Sequence, residues 1–262
     1  MQMADLGDVR LHYRIDGPED GAPLVFSNAL GTDLRIWDRI VARLPEGLRI
    51  LRYDTRGHGL SDAPEGPYSM GTLVRDTERL MAHVAMQDAV VVGLSLGGMI
   101  AQGLAAKRLD LVRALVLSNT ACKIGTRAIW AQRIAQVEAG GVAALAEGTM
   151  QRWFSARFRA TPESAAWRHM LERSPVQGYL GCCHAIAGPD FITPTSGLRL
   201  AALGIAASED GSTPPDLVRE TTELIPGAQF RLIRGAGHIA CVEAADAYAA
   251  VLSEFLAAQG HL

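Results

Sequence analysis

The feature that most constrains the fold of this chain is a serine flanked by glycines at a predicted strand-to-helix turn. The segment Gly93-Leu94-Ser95-Leu96-Gly97 follows the continuous apolar run Ala89–Val92 and precedes a helical pattern over Met99–Lys107. A continuous β-branched run is typical of a strand covered on both faces of a parallel sheet. Glycines two residues either side of the serine permit a sharp turn that lifts its hydroxyl above the sheet. We therefore predict that Ser95 is a nucleophile; the alternative is a serine that only caps the helix.

Short apolar runs alternate with amphipathic segments along most of the chain. This alternation predicts an α/β fold, in which a mostly parallel sheet with right-handed crossovers is flanked by helices. The predicted strands are Val9–Ile15, which we place at the sheet edge, Leu24–Ser27, Ile50–Tyr53, Ala89–Gly93, Arg113–Leu117, Arg199–Ala207 and Gln229–Ile233. The predicted helices of this layered region are Leu34–Leu44, Met70–Ala85, Met99–Lys107, Leu217–Leu224 and Ala244–Gln259.

The alternation stops in the middle of the chain, where the pattern is helical with no clear strand. We therefore divide the chain into a core, residues 1–121 and 196–262, and an inserted helical cap, residues 122–195. An insertion at the carboxyl ends of parallel strands lies over the place where such sheets bind ligands. The segment from Lys123 to Pro175 carries eight Lys or Arg residues and four acids, so the cap is basic in a chain of net charge −3.

A histidine and an acid follow the last two predicted strands. His238 lies in Gly235-Ala236-Gly237-His238, directly after the final strand, on a loop from which a base can reach the serine. Asp210 follows the preceding strand, so the order is serine, acid, histidine, as in hydrolases with a nucleophile elbow. The acid fixes the imidazole tautomer and stabilises the imidazolium. We favour Asp210 for this role, with its neighbour Glu209 as the alternative.

Two backbone amides are predicted to form an oxyanion hole. One is the N–H of Leu96, next to the nucleophile, and the other is the N–H of Leu30 in Asn28-Ala29-Leu30-Gly31, after the second predicted strand. The alternative for the Leu30 segment is a simple tight turn. His58, in Arg56-Gly57-His58-Gly59, is interpreted as part of a structural loop.

Composition excludes several classes of function. The net charge of −3 without a basic tract argues against nucleic-acid binding. No apolar run reaches the roughly 18 residues that cross a bilayer, and the N-terminus lacks the apolar region of a secretory signal. The four cysteines are not spaced as a zinc or redox pair, so we expect reduced thiols and a cytoplasmic protein. The oligomeric state stays open, a homo-oligomer included.

Specific motifs connect the chain to a known family. They are Leu11–Gly17, Ser27–Asp33, Leu51–Gly59, Gly93–Gly98, Asn119–Ala121, Trp130–Arg133 and Arg152–Phe154. Through them the chain resembles bacterial 3-oxoadipate enol-lactonases, which have the α/β-hydrolase fold. The Arg-Gly-His-Gly loop and the elbow are common to many capped relatives, whereas Ser27–Asp33 and the cap motifs are more specific. The resemblance spans nearly the whole chain.

The resemblance implies hydrolysis of a small lactone that carries an acetate side chain, with no metal and no cofactor. The anionic substrate needs a cation, which the basic cap can supply. Trp130 and Arg133 are three residues apart and share a helix face, so we predict that Arg133 binds the carboxylate. Trp153 is a further candidate substrate contact. Arg127 and Arg152 are the next candidate cations, and the alternative for Arg133 is a surface arginine over a buried tryptophan.

Other functions remain open at this point. The nearest alternative is another capped serine esterase, lactonase or C–C hydrolase, because function lives in the site and not in the fold. A non-catalytic ligand receptor on the same fold is the alternative from another class. Dehalogenases and epoxide hydrolases of this fold need an aspartate at the elbow, and Ser95 argues against them.

Overall fold

A single sheet of eight strands organises the molecule. The computed structural model describes residues 1–262. Its strands are β1 (Gln2–Asp5), β2 (Arg10–Asp16), β3 (Ala22–Ser27), β4 (Leu48–Tyr53), β5 (Ala89–Leu94), β6 (Val112–Ser118), β7 (Ala201–Ala207) and β8 (Gln229–Ile233). The spatial order is β1-β2-β4-β3-β5-β6-β7-β8, and all pairs from β4 onward are parallel. The predicted α/β class with a mostly parallel sheet is confirmed.

The edge of the sheet differs from the prediction. We placed Val9–Ile15 at the edge, which is wrong, because β2 pairs with β1 on one side and with β4 on the other, both antiparallel. The true edge strand, β1, has only Ala4 buried. A four-residue strand with a single buried side chain shows no apolar periodicity, so the sequence carries no signal for it.

Helices cover both faces of this sheet. They are α1 (Asp38–Val41), α2 (Met70–His83), α3 (Leu96–Lys107), α10 (Pro215–Glu223), α11 (Ala240–Glu243) and α12 (Ala245–Ala258). The single helix predicted over Leu34–Leu44 is instead a 3-10 turn, Leu34–Trp37, followed by α1. Side chains cap the first amides of the 3-10 turn, as at the start of any helix: Asp54 accepts from Leu34 N–H and Asp33 accepts from Arg35 N–H. No helix has the length and apolar character needed to span a membrane.

Residues 119–200, between β6 and β7, contain helices and no strand; we call them the helical insertion. Its α-helices are α4 (Arg127–Gly140), α5 (Ala146–Trp153), α6 (Ala156–Arg159), α7 (Ser164–Glu172), α8 (Val176–Ala187) and α9 (Ile192–Ser196). Gly57, in the loop after β4, meets Gly178 of α8 so closely that a Cβ on either residue would overlap the other backbone. This contact holds the insertion against the carboxyl ends of the parallel strands.

Candidate active site

Ser95 occupies a strained turn between β5 and α3. Its backbone φ is +57°, a left-handed value that is uncommon for a residue with a side chain. The turn is held by Ser95 N–H, which donates to Ser118 O at 3.0 Å, and by Thr120 Oγ1, which donates to Ser95 O at 2.7 Å. A Cβ on Gly93 would overlap the Gly97 carbonyl, so the glycine there is required by the turn.

A buried aspartate contacts the histidine ring. His238 Nδ1 lies 2.8 Å from Asp210 Oδ2. The same carboxylate accepts hydrogen bonds from Asn119 Nδ2 at 2.9 Å and from Thr213 Oγ1 at 2.8 Å, and its other oxygen accepts from the N–H groups of Ser212 and Thr213. Burial alone would raise the pKa of Asp210, but the His238 charge and these hydrogen bonds hold that pKa below its ordinary value. The acid is therefore ionised and fixed beneath the imidazole.

The alternative acid lies elsewhere. Glu209 is exposed, and its side chain makes neither a hydrogen bond nor an ion pair, whereas Asp210 contacts the imidazole directly. Ser95 and His238 line one cavity but are not hydrogen-bonded to each other in this conformation. Such bonds are often long until substrate is present, so the arrangement is compatible with a serine activated by the histidine.

The loop after β3 places Leu30 beside Ser95, and both residues line the same cavity. Asn28 Nδ2 at the start of the loop donates to Tyr53 O of β4 at 2.6 Å, and within the loop Thr32 Oγ1 donates to Ala29 O at 2.8 Å. Leu96 is the first residue of α3, where a backbone N–H has no acceptor within the helix. Leu30 thus lines the cavity and Leu96 directly follows Ser95 in the chain, and the oxyanion hole formed by their amides stays a prediction.

The cavity over Ser95 has a volume of about 580 Å³. The helical insertion contributes Trp130, Arg133, Arg152 and Trp153 to its lining, whereas the third candidate cation, Arg127, does not line it. No Asp or Glu lines this cavity. A second cavity, of about 500 Å³, includes neither the serine nor His238, so it is not the place of the predicted chemistry.

Comparisons with known proteins identify the family of the chain. Residues 22–245 match the family model for the alpha/beta hydrolase fold. The chain is 32% identical over 243 residues to 3-oxoadipate enol-lactonase 2 of Acinetobacter baylyi, covering 92% of this chain and 91% of that protein. The crystal structure of the enol-lactonase from Burkholderia xenovorans LB400 superposes with a TM-score of 0.94 at 36% identity, covering 98% of this chain and all of that one. The chain belongs to the 3-oxoadipate enol-lactonase family of α/β-hydrolases.

A hydrolase from Pseudomonas aeruginosa PA01 is similarly close, with a TM-score of 0.93 at 32% identity and 97% coverage of both chains. The family resemblance inferred from the sequence motifs is confirmed. The protein is therefore a hydrolase of this family.

Two arginines of the hydrolase face the cavity without an acidic partner. The Arg133 guanidinium lies 5.5 Å from the centre of the Trp130 ring, a cation–π contact. Arg152 is half-buried, and its only side-chain hydrogen bond goes to Thr149 Oγ1 at 3.1 Å. Burial, and then the Arg133 charge, lowers the pKa of Arg152. An anion in the cavity would offset the burial of Arg152 and its repulsion from Arg133, since it would be a counter-ion for both cations.

His58 has a role that the sequence did not reveal. Its ring is buried, and Nε2 accepts a hydrogen bond from Gly31 N–H at 2.8 Å, in the loop that carries Leu30. An acceptor at Nε2 requires the neutral ring. Burial lowers the pKa of His58 to about 4, which keeps the ring neutral. The only sequence signal was the glycine-rich loop around His58, which did not indicate its partner.

The neutral His58 predicts a pH dependence of stability. The unfolded chain takes up a proton near pH 6.5, whereas the folded protein does so only near pH 4. Stability is therefore complete above pH 6.5 and falls as the pH drops through this window, by about 2 kcal/mol from this group at pH 5. Urea unfolding at pH 8 and pH 5 measures the loss, and His58→Gln should show a loss smaller by that amount. Equal losses in the two proteins would contradict the prediction.

Proposed function

We propose that this hydrolase opens 3-oxoadipate enol-lactone, a small anionic lactone, to 3-oxoadipate in the β-ketoadipate pathway of aromatic degradation. The observation that carries the proposal is the cavity, whose lining includes Ser95, His238 and two arginines but no acid. The similarity to 3-oxoadipate enol-lactonases of Acinetobacter baylyi and to the Burkholderia enol-lactonase supports this choice of lactone. The triad, the oxyanion hole and the capping role of the helical insertion are parts of the same proposal.

In the proposed reaction Ser95 Oγ attacks the ring carbonyl while His238 takes the hydroxyl proton. The N–H groups of Leu30 and Leu96 stabilise the oxyanion. Collapse of the intermediate breaks the ring C–O bond, and the leaving enolate oxygen takes the proton back from His238; the enol then becomes the ketone. Water hydrolyses the acyl-enzyme with His238 again as base, and Asp210 orients the ring in both halves.

Substrate recognition in this proposal depends on charge. The acetate side chain of the lactone is a carboxylate, and Arg133 is assigned to bind it, with Arg152 as the second cation of the same cavity. Trp130 and Trp153 supply apolar walls against a small ring. All four cysteines are free and buried, which supports our inference of a reducing, cytoplasmic location.

Four assays test the proposal. Purified protein should remove the ultraviolet absorbance of 3-oxoadipate enol-lactone, and carboxylated lactones should be better substrates than neutral aryl esters. Preference for the neutral esters would favour another capped esterase, and cleavage of a diketone would favour a C–C hydrolase. An organophosphonate should label Ser95; an unlabelled protein would favour the non-catalytic receptor.

Replacing the cavity arginine should affect only the anionic substrate. We expect Arg133→Met to lower kcat/KM for the lactone roughly 30–1,000-fold, which corresponds to about 2–4 kcal/mol. The reason is that the desolvated ion pair between Arg133 and the substrate carboxylate is lost. Steady-state kinetics with a neutral acetate ester should show little change, because the triad is untouched.

The matched control is Arg127→Met, an exposed arginine of the same helix outside the cavity lining, which should behave as wild type. Equal losses on both substrates would mean that Arg133 stabilises the helical insertion and does not bind the carboxylate. No loss on either substrate would make it a solvated surface charge.

A further inference from the structure

The backbone of the helical insertion bonds directly to the loops that carry the acid and the base. Gly211 N–H, one residue after Asp210, donates to Arg152 O at 3.2 Å. Ile239 N–H, one residue after His238, donates to Trp153 O at 3.1 Å. Two neighbouring carbonyls of one segment therefore hold both loops.

A third connection passes through a carboxylate. Glu243 Oε2 accepts from Gly237 N–H at 3.0 Å, directly before His238, and from Ser155 N–H at 3.1 Å in the helical insertion. Ser155 Oγ donates to the other carboxylate oxygen. Glu243 makes no ion pair, so its carboxylate is committed to these three donors.

We propose that Glu243 is a positioning residue for His238. It fixes the amide before the histidine, while Trp153 O fixes the amide after it, so the backbone is held on both sides of the imidazole. The 2.8 Å contact between His238 Nδ1 and Asp210 depends on that placement. This inference rests on the proposed function, since it assumes that His238 is the base.

The arrangement also links recognition to catalysis. The side chains of Arg152 and Trp153 line the cavity, while their carbonyls hold the loops of Asp210 and His238. Glu243 joins Ser155, which follows this segment, to Gly237, the residue before His238. A misplacement of about 1 Å in a catalytic group costs on the order of 100-fold in rate, so a loosened loop lowers turnover without removing any group that touches substrate.

The test compares two carboxylates that each join the helical insertion to the core. Glu243→Ala removes the carboxylate that bonds the amide before His238. Glu163→Ala removes a carboxylate that pairs with Arg39 at 2.7 Å and bonds neither the Asp210 loop nor the His238 loop, while Arg39 keeps its hydrogen bond to Val242 O. With a neutral acetate ester, Glu243→Ala should lower kcat by about 10–100-fold with KM within about twofold. Glu163→Ala should keep kcat within about twofold. Glu243→Gln retains an acceptor for both N–H groups and should recover most of the activity.

A second readout does not depend on turnover. The proton on His238 Nδ1 should give a downfield NMR signal, which Glu243→Ala broadens or shifts and Glu163→Ala leaves in place. If Glu243→Ala does not fold, Glu243→Met, which has similar volume and no acceptor, replaces it. Wild-type kcat and an unchanged signal in the variant would mean that Glu243 only stabilises the structure, and would overturn the proposal.

The failure of the proposed function can be distinguished from the failure of this inference. If wild type hydrolyses no ester and Ser95 is not labelled, the proposed function fails, and the NMR comparison still decides whether Glu243 positions His238.

Discussion

Replacing Ser95 with alanine is expected to lower kcat for the lactone by about 10⁴–10⁶-fold, the cost of losing one member of a catalytic triad. In the proposed mechanism the hydroxyl oxygen of Ser95 forms the acyl-enzyme, so the alanine variant lacks the nucleophile. The fold should be kept, because the turn is held by backbone contacts to Ser118 and Thr120 that alanine retains. Kinetics measures the loss of kcat, phosphonate labelling measures the loss of the nucleophile, and thermal unfolding measures whether the fold is kept.

A matched control is available at the end of the neighbouring strand. Ser27→Ala also removes one hydroxyl near the elbow, but Ser27 contacts Tyr53 and does not line the cavity. It should lose less than about tenfold in kcat. Retention of a tenth of wild-type activity in Ser95→Ala would make the nucleophile assignment wrong.

The parallel centre of the sheet was predictable because its residues are buried on both faces. All six residues of β5 are buried, and a strand buried on both faces has an uninterrupted apolar sequence. The antiparallel margin was not predictable to the same degree, since the position of β2 depends on whether β1 pairs beside it. Backbone hydrogen bonds make that pairing, and the side chains of Gln2–Asp5 show no apolar pattern that would indicate it.

The same distinction holds in the candidate site. Ser95, Asp210 and His238 each follow a strand, so chain order and sheet topology indicate them without knowledge of any contact. Arg133 and Trp130 lie on one helix, where spacing alone predicts that they meet, and their cation–π contact agrees. Arg152 could be named only as an alternative, because its approach to the cavity depends on how α5 packs.

Positioning contacts were the least predictable part of the site. His58 bonds a backbone amide 27 residues away, and Glu243 bonds one 88 residues away. A backbone N–H has no side-chain identity in the sequence, so nothing at Gly31 or Ser155 indicates its partner. Such contacts become visible only when the tertiary structure brings the loops together.

Replacing Asp210 is expected to give the second large loss of activity. Asp210→Asn should lower kcat by about 10⁴-fold, because an amide cannot stabilise the imidazolium and can hold the wrong tautomer of His238. The carboxylate also accepts from Asn119 and Thr213, so an amide nitrogen placed there would face donors. We therefore expect lower stability as well, measured by thermal unfolding alongside the kinetics.

The neighbouring residue Glu209 provides the control for this change. Glu209→Gln alters an exposed side chain that makes no hydrogen bond, so kcat should stay within about twofold of wild type. The two variants remove the same charge from adjacent positions, and only the charge at Asp210 lies 2.8 Å from the imidazole. A severe loss in Glu209→Gln together with a mild one in Asp210→Asn would transfer the role of the acid to Glu209. Because both variants keep the size of the side chain, the difference between them measures the loss of the Asp210 carboxylate as a whole, its charge and its hydrogen-bond acceptors together.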